Sequence, residues 1–264
     1  MKKGKLYLVG LPVGNWEDMP PRALRYIKEA KNIVIEREEA FAKIWPALGI
    51  QKPDVNIISI EMQSRGGEPG RSYELENLSK VINLLESGED VYLISDDGMP
   101  GVADPGELIT KEAIKGGFEV TATPGPSAVL AAVSVAGCQH NFYFGSFLPH
   151  GKEERIQYLN NHKNINAPMV FMLRSLTSDE NGKPMFHPEI PNFLEDAINV
   201  LGDRNAVLCY NLTKDNERVV RGTFSYLLKY FNETPREEDL IMIVIDTQHG
   251  SLKHMGIFSD TRKN

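Results

Sequence analysis

The sequence predicts an α/β protein whose first half contains a mostly parallel sheet. Short apolar runs typical of strands alternate with helical patterns from the first residues onward. Two loops rich in glycine and proline, at 95–106 and 123–128, each follow an apolar run and precede a helical pattern. Strand, loop and helix repeated in this order imply two strands that are parallel and adjacent. Both loops then leave the carboxyl edge of one sheet, where open α/β sheets bind their ligands.

Length and composition set the class of protein. The chain has 264 residues, 41% of them apolar and 25% charged, as in globular proteins of one large domain or two ordinary ones. No apolar run reaches the length of a membrane span, so we expect no membrane association. The net charge of −7 argues against non-specific nucleic-acid binding, although a local basic patch remains compatible with it.

The N-terminus and the cysteines indicate a cytoplasmic location. A basic start is followed by an apolar run at residues 6–13, which is too short for a signal peptide and is better interpreted as a first strand. Cys138 and Cys209 are the only cysteines and lie far apart in the sequence. A reduced cytoplasmic protein is the simplest interpretation of that usage.

The elements of the first half follow from periodicity. Strands are predicted at residues 6–9, 33–35, 55–60, 91–94 and 119–122. Pro20 and Pro21 open a first helix, and leucines with valine and isoleucine at 75–85 form a long amphipathic stripe. Further helices are predicted at 107–115 and 127–136, the second with Ser127 as its N-cap.

In the second half, the alternation of strand and helix patterns starts again after a predicted domain boundary. We place a first domain at 1–138 and a second at 139–264, with the break near residues 138–142. An aromatic run at 142–144 precedes a charged helix that starts at Lys152. Strands are predicted at 169–173, 206–210 and 240–245, and the proline-rich stretch 178–191 is interpreted as an irregular loop.

A third loop, Gly-Leu-Pro-Val-Gly-Asn at 10–15, follows the first strand. It is not a GxGxxG dinucleotide fingerprint, and a single glycine loop of this kind is often purely structural. Three such loops on parallel strands of one domain indicate a binding site, because glycine lets backbone approach a ligand and proline rigidifies the loop.

The three loops together resemble the tetrapyrrole methylase superfamily of S-adenosylmethionine-dependent methyltransferases. The resemblance is strongest to the branch that 2′-O-methylates a cytidine ribose in small-subunit ribosomal RNA. It continues through Phe-Gly-Ser-Phe-Leu-Pro at 144–149, Leu-Gly-Asp-Arg at 201–204, Asn-Leu-Thr-Lys at 211–214 and Arg-Gly-Thr at 221–223. It therefore covers nearly the whole chain.

The resemblance implies two α/β domains, a mostly parallel N-terminal sheet and a mixed C-terminal sheet, with S-adenosyl-L-methionine between them in a homodimer. The cofactor-binding residues that it implies are Val13, Met99, Val102, Ser127, Ala128, Met172 and Leu212. From the residues alone, ordinary core packing is the better explanation of Met172 and Leu212, and Ser127 has a strong alternative as a helix N-cap.

Methyl transfer mainly requires that the enzyme align a nucleophile with the sulfonium methyl of this cofactor, because that methyl is already activated. The six histidines show no zinc-site spacing, so no metal is predicted. A hydroxyl acceptor needs a group that takes its proton. The candidates are Glu36, Asp96, Asp97 and Asp104, each of which is equally explained as a loop cap, and the base is left unassigned.

The segments expected to meet the substrate depart from the rRNA branch. An acidic segment at 36–39 replaces a Glu-Asp-Thr-Arg-like one, and 172–177 replaces a Tyr-Glu-Ser-Pro-His-Arg-like one. We expect Glu36, Arg37 and Arg174 to face the acceptor, with an arginine holding a phosphate or carboxylate. The structural alternative for Arg174 is a salt bridge.

Three classes of function follow from these observations. The first is a ribose methyltransferase acting on rRNA or a ribosomal subunit. The second is a methyltransferase for a tetrapyrrole or another small molecule, which the altered segments and the acidic charge favour. The third is a non-catalytic protein that binds the cofactor.

Overall fold

The two halves of the chain form separate structural units. A computed structural model describes residues 2–49, 54–60, 71–138, 141–174, 176–178, 184–186, 189–234 and 240–247. The contacts divide the chain between Ser127 and Ala128. Each unit has its own sheet.

The first unit alternates strands and helices, as its sequence pattern predicts. In chain order the elements are β1 (Lys5–Val9), α1 (Pro21–Glu29), β2 (Asn32–Ile35), α2 (Glu38–Ala47), β3 (Asn56–Ser59), α3 (Arg71–Glu86), β4 (Val91–Ile94), α4 (Glu107–Lys115) and β5 (Glu119–Thr123). The five strands predicted here are all present, each within two residues of its predicted bounds.

All five strands are parallel, in the order β3-β2-β4-β1-β5. The sequence prediction that β4 and β5 are adjacent is wrong. β1 lies between them, because Leu8 pairs with Leu93 of β4 on one side and with Ala122 of β5 on the other. The insertion brings the three glycine-containing loops, which follow β1, β4 and β5, to three neighbouring strands at the carboxyl edge.

Helices cover both faces of this sheet, which explains why its strands are apolar on both sides. On one face Leu6, Val34 and Leu93 pack with α3 and α4. On the other face Ile33 and Ile94 pack with α1 and α2. The alternation follows from the two-residue period of a strand, and it leaves the carboxyl edge as the place for a ligand.

The second unit is built around a mixed sheet. Its elements are α5 (Ala128–Val135), β6 (Tyr143–Phe147), α6 (Lys152–His162), β7 (Met169–Arg174), β8 (Leu176–Ser178), β9 (Pro184–Phe186), α7 (Glu189–Leu201), β10 (Asn205–Tyr210), β11 (Arg218–Thr223), α8 (Phe224–Glu233) and β12 (Leu240–Ile245). The sheet order is β11-β10-β12-β7-β6, with only β6 and β7 parallel. The predicted fold class, with a parallel and a mixed sheet, is confirmed.

Two sequence interpretations differ from this structure. The stretch 178–191 is not wholly irregular, because β9 pairs with β8 and α7 begins at Glu189. The domain boundary was predicted after Cys138, whereas the contacts change at Ala128. The reason is α5, whose buried Val129, Ala132 and Val133 belong to the same apolar cluster as β7, β10 and β12.

Candidate active site

The three glycine-containing loops of the first unit meet through their backbones. The N–H of Leu11 donates to the carbonyl of Gly98 at 2.8 Å, which joins the loop after β1 to the loop after β4. The N–H of Gly10 donates to Oγ1 of Thr123 at 3.2 Å, and that hydroxyl donates to the carbonyl of Leu8. Thr123 at the end of β5 therefore fixes the start of the first loop.

Gly10 and Gly125 approach so closely that neither position has room for a side chain. A Cβ on Gly10 would lie 2.9 Å from Cα of Gly125 and closer still to Sδ of Met99. A Cβ on Gly125 would lie 2.7 Å from Cα of Gly10. The sequence showed these glycines but not their contact, which joins residues more than a hundred positions apart.

Two of the predicted cofactor residues border this contact. The sulfur of Met99 touches the places where side chains on Gly10 and Gly125 would be, and Cγ2 of Val13 lies 4.0 Å from the Cβ position of Gly98. Val102 lies on the same loop as Met99 and is 49% exposed. Ser127 is half-buried at the end of the third loop. The first unit thus brings Val13 and Met99 together at the carboxyl edge.

The other three predicted cofactor residues lie in one apolar cluster of the second unit. Leu212 is 6% exposed, and Ala128 and Met172 are half-buried against the same cluster. Met172 and Cys209 pair with Met242 from its two sides, which places them on the face that α5 covers. Core packing, the structural explanation of Met172 and Leu212, is therefore consistent with their burial, and a cofactor role stays a prediction.

An acidic group with one arginine adjoins the loops of the first unit. Arg37 donates from both Nε and Nη2 to Oδ2 of Asp96, each at 2.5 Å. Burial raises the pKa of Glu36, and the charge of Asp96 raises it further. Burial, followed by the charges of Glu36 and Asp97, raises the pKa of Asp104 to about 7. At neutral pH Asp104 is therefore partly protonated.

Arg174 is the last residue of β7, and its backbone and side chain both make contacts that restrain it. Its N–H donates to Oε2 of the buried Glu189 at 2.7 Å, and its guanidinium lies 3.9 Å from the centre of the Phe147 ring. The salt bridge considered for Arg174 is not formed with any residue that the structure describes. The three predicted substrate residues are thus divided, with Glu36 and Arg37 in the first unit and Arg174 in the second.

Left-handed backbone at residues other than glycine occurs in the second loop of the first unit and at three positions of the second unit. Among the described residues it occurs at Ala103, Ser146, Asn211 and Thr213. Ala103 lies beside Asp104, and the other three lie in the segments after β10 and within β6 that the sequence resemblance singled out. Such conformations cost about 1–3 kcal/mol each and concentrate at functional sites. Of the four residues, only Asn211 is of a type that favours this conformation, so the sequence did not predict them.

Two further observations concern metals and membranes. Within the described ranges, no three or more His, Cys, Asp or Glu side chains are grouped so that they could hold a metal ion. The same ranges contain no helix that is long and apolar enough to cross a membrane.

Comparisons with known proteins identify the family. Residues 5–227 match the family described as Tetrapyrrole (Corrin/Porphyrin) Methylases. The chain is 31% identical, over 87% of its length and 93% of the relative, to the ribosomal RNA small subunit methyltransferase I of Thermotoga maritima. It is 28% identical, over 93% of its length and the whole of the relative, to the protein of that name from Coprothermobacter proteolyticus.

Solved structures show the same fold. A diphthine synthase superposes with a TM-score of 0.63 at 20% identity, covering 92% of this chain and 90% of that one. The uroporphyrin III C-methyl transferase of Thermus thermophilus gives 0.59 at 17% identity, with 95% and 99% covered. The family match and the relatives named as methyltransferases set aside the third class of function, a non-catalytic binding protein. The chain belongs to the tetrapyrrole (corrin/porphyrin) methylase family and is an S-adenosylmethionine-dependent methyltransferase.

Proposed function

We propose that this enzyme transfers a methyl group from S-adenosylmethionine to a ribose 2′-hydroxyl of small-subunit ribosomal RNA. The observation that carries the proposal is the meeting of three loops at Gly10 and Gly125, in a chain aligned over most of its length with rRNA methyltransferases. The acceptor is taken from the names of those relatives and from the sequence resemblance.

The residues present fit the cofactor. The close approach of Gly10 and Gly125 brings the peptide groups of the three loops together at the carboxyl edge, where they can meet the polar amino-acid end of the cofactor. We assign Val13, Met99, Val102 and Ser127 to that end and to the ribose. We assign the adenine to three apolar side chains of the second unit, those of Ala128, Met172 and Leu212.

The protein's part in the reaction is to align the acceptor and to take its proton. When bound, S-adenosylmethionine supplies a methyl group on a positively charged sulfur, so a correctly placed hydroxyl oxygen needs no further activated partner. We assign the proton to the carboxylate of Asp104, because a pKa of about 7 matches the pH at which a general base works best. Arg37 keeps Asp96 in an ion pair, which disfavours Asp96 for this role.

Arg174 is proposed to hold a phosphate of the acceptor. Stacking on Phe147 and the bond from its N–H to Glu189 restrict the guanidinium before any ligand arrives. Nη1 of Arg174 has no hydrogen-bond partner among the described residues. A restricted arginine loses less entropy on binding a phosphate than a free one. Glu36 and Arg37 are retained as further acceptor-side residues.

The test of Arg174 separates cofactor binding from methyl transfer. In Arg174→Ala we expect calorimetric affinity for S-adenosylmethionine to stay unchanged while transfer to RNA falls by roughly tenfold or more, the effect of losing one charged contact. Arg174→Lys keeps the charge but loses the planar guanidinium, with its paired N–H donors and its stacking on Phe147, so we expect an intermediate rate. Unchanged transfer, or parallel loss of affinity and stability, contradicts the assignment.

A small-molecule acceptor is the second candidate. The segments around Glu36 and Arg174 depart from the rRNA branch, and the structural neighbours include a uroporphyrin methyltransferase. Incubation with radiolabelled cofactor and separate RNA, protein and small-molecule fractions of a lysate decides between the two. Label in the RNA fraction supports the proposal, and label confined to small molecules overturns it.

We further propose a homodimer in the cytoplasm, where ribosomal subunits are found. The family resemblance supports the dimer. Light scattering at micromolar concentration tests it, and a monomer there counts against it. A stable dimer should bury more than roughly 1,000 Å² in total.

A further inference from the structure

The exposed face of α1 carries an unpaired row of positive charge. Arg22, Arg25 and Lys28 follow one another at three-residue intervals, and Lys31 comes just after the helix. Residues three apart are neighbours on a helix surface. All four are exposed, and none takes part in the ion pairs found within the described part of the chain, although the Arg25 guanidinium lies 5.5 Å from the centre of the Tyr26 ring. The opposite face of α1 is anchored by Ala23 and Ile27 in the core of the first unit.

This row differs from the exposed lysines of α4 and α8, which lie beside glutamates of their own helix. Lys111 and Lys115 of α4 pair with Glu107 and Glu112, and Lys229 of α8 lies 4.0 Å from Glu233. The whole chain carries 36 acidic and 29 basic residues. Against that excess of acid, residues 20–31 contain four basic residues and one acidic residue, Glu29. The row is therefore a local positive surface on an acidic protein.

The position of the row relates it to the candidate site. α1 is the helix that follows the loop at 10–15, so its first turn starts at the carboxyl edge where the three loops meet. Arg22 lies in that first turn, and Arg25 and Lys28 continue away from the edge. A polyanion that enters the site at this edge would pass along the helix.

We propose that the α1 face of Arg22, Arg25 and Lys28 binds the phosphate backbone of the RNA substrate. The inference rests on the proposed function and adds a surface to it. Lysine and arginine contacts to phosphates supply affinity without reading sequence, which fits a helix face that offers only positive charge. These contacts orient the strand while the loops and Asp104 act on the ribose.

The test compares two triple variants in RNA binding. Arg22→Gln, Arg25→Gln and Lys28→Gln together remove the row, and Lys111→Gln, Lys115→Gln and Lys229→Gln remove three exposed charges elsewhere. Glutamine keeps helix propensity close to that of lysine and arginine. The probe is a labelled single-stranded RNA from the small-subunit rRNA, titrated at several salt concentrations, with thermal melting and cofactor calorimetry as checks on folding.

The two triple variants should differ clearly in the salt dependence of their RNA affinity. Three lost phosphate contacts lower the slope of log affinity against log salt by about 2 and weaken binding at low salt by roughly tenfold or more. The control variant should keep the wild-type slope. Equal slopes in both variants overturn the inference, as does binding of wild type to anionic lipid vesicles in preference to RNA. Should the triple variant melt early, the single variants provide the same comparison, each with a slope change of about 0.7.

A separate methyl-transfer assay distinguishes failure of this inference from failure of the proposed function. Wild type that methylates RNA, together with an α1 variant that binds like the control, refutes the surface alone. Wild type that neither methylates nor binds RNA refutes the proposed function and the surface with it.

Discussion

The carboxyl edge of the parallel sheet and the carboxyl ends of β6 and β7 in the mixed sheet, here called the first and the second edge, are held in opposite ways. In the first unit the loops meet through backbone, and glycines at 10, 98 and 125 leave no side chain between them. In the second unit buried side chains hold the loops. Arg155 pairs with Asp196 and donates from Nη1 to the carbonyl of His150, while Glu189 holds the N–H of Arg174.

The difference predicts which kind of substitution destabilises each edge. Adding a side chain should damage the first edge, because backbone cannot move aside. Removing a side chain should damage the second edge, because a buried polar partner is left unsatisfied. Positive φ angles follow a similar division among the described residues. In the first unit all of them except that of Ala103 are at glycines, whereas the second unit has them at Ser146, Asn211 and Thr213 as well as at two glycines.

The largest expected effect is on the second edge. Asp196→Ala leaves the Arg155 guanidinium buried without its partner, since both side chains are nearly inaccessible. We expect the free energy of unfolding to fall by about 3–5 kcal/mol in urea denaturation. Glu233→Ala breaks the exposed pair with Lys229 and should change stability by less than about 1 kcal/mol. Similar losses in the two variants would contradict the comparison.

Adding one carbon atom to the first edge should have the next largest effect. In Gly10→Ala the new Cβ meets Cα of Gly125 at 2.9 Å, so the loops must separate. We expect a loss of about 1–3 kcal/mol in stability and at least a tenfold weaker calorimetric affinity for S-adenosylmethionine. Gly202→Ala is the control, because Gly202 has a φ of +78° and nothing within 4 Å of its Cβ position. It should lose some stability but keep full affinity.

Asp104 tests the effect of a buried carboxyl group on the stability of the first edge. Its pKa is raised from 3.8 to about 7 on folding, so its ionisation opposes folding. The stability that the protonated carboxyl contributes is complete below pH 3.8 and is lost as the pH rises through about 7. Relative to Asp104→Asn, wild type should therefore lose stability across that window. Parallel pH profiles of the two proteins would show that the pKa is ordinary.

The same substitution bears on catalysis. If Asp104 takes the proton, methyl transfer by wild type should increase as the pH rises through about 7, because the carboxylate is then the base. In Asp104→Asn the rate should be low and should lack that step, while cofactor affinity is retained. A mutant that keeps the wild-type rate and pH profile would show that another group accepts the proton.

Thr213 provides the smallest test. It adopts a φ of +69°, and its buried hydroxyl has no hydrogen-bond partner among the described residues. A β-branched residue at positive φ is strained. Thr213→Gly removes that strain at some cost in chain entropy, so we expect thermal stability to rise by at most about 1 kcal/mol. A clear loss of stability would show that the Thr213 side chain makes a favourable contact.

Much of the fold was predictable because it follows from local sequence patterns. The strands of the first unit and the helix at Glu107–Lys115 follow from apolar periodicity bounded by glycine and proline. The strand β11 was missed, since Arg218–Thr223 alternates polar and apolar residues only weakly. The strand β9 was missed because it lies in the stretch 178–191, whose prolines indicate an irregular loop.

The candidate site was predictable only in part. The three loops and their common edge followed from the sequence, and so did Val13 and Met99 through the resemblance. The partner of Arg37 did not, because Asp96 is 59 positions away and meets it only at the ends of β2 and β4. The stacking of Arg174 on Phe147 likewise depends on the pairing of β6 with β7.

The sequence by itself determined the α/β class, the order of most elements and the family of this enzyme, because each depends on residues close together in the chain. The tertiary structure decided that β1 lies between β4 and β5, that Gly10 meets Gly125, and that Asp104 has a pKa near neutrality. Those properties arise from burial and from contacts between distant segments, and no local pattern specifies either.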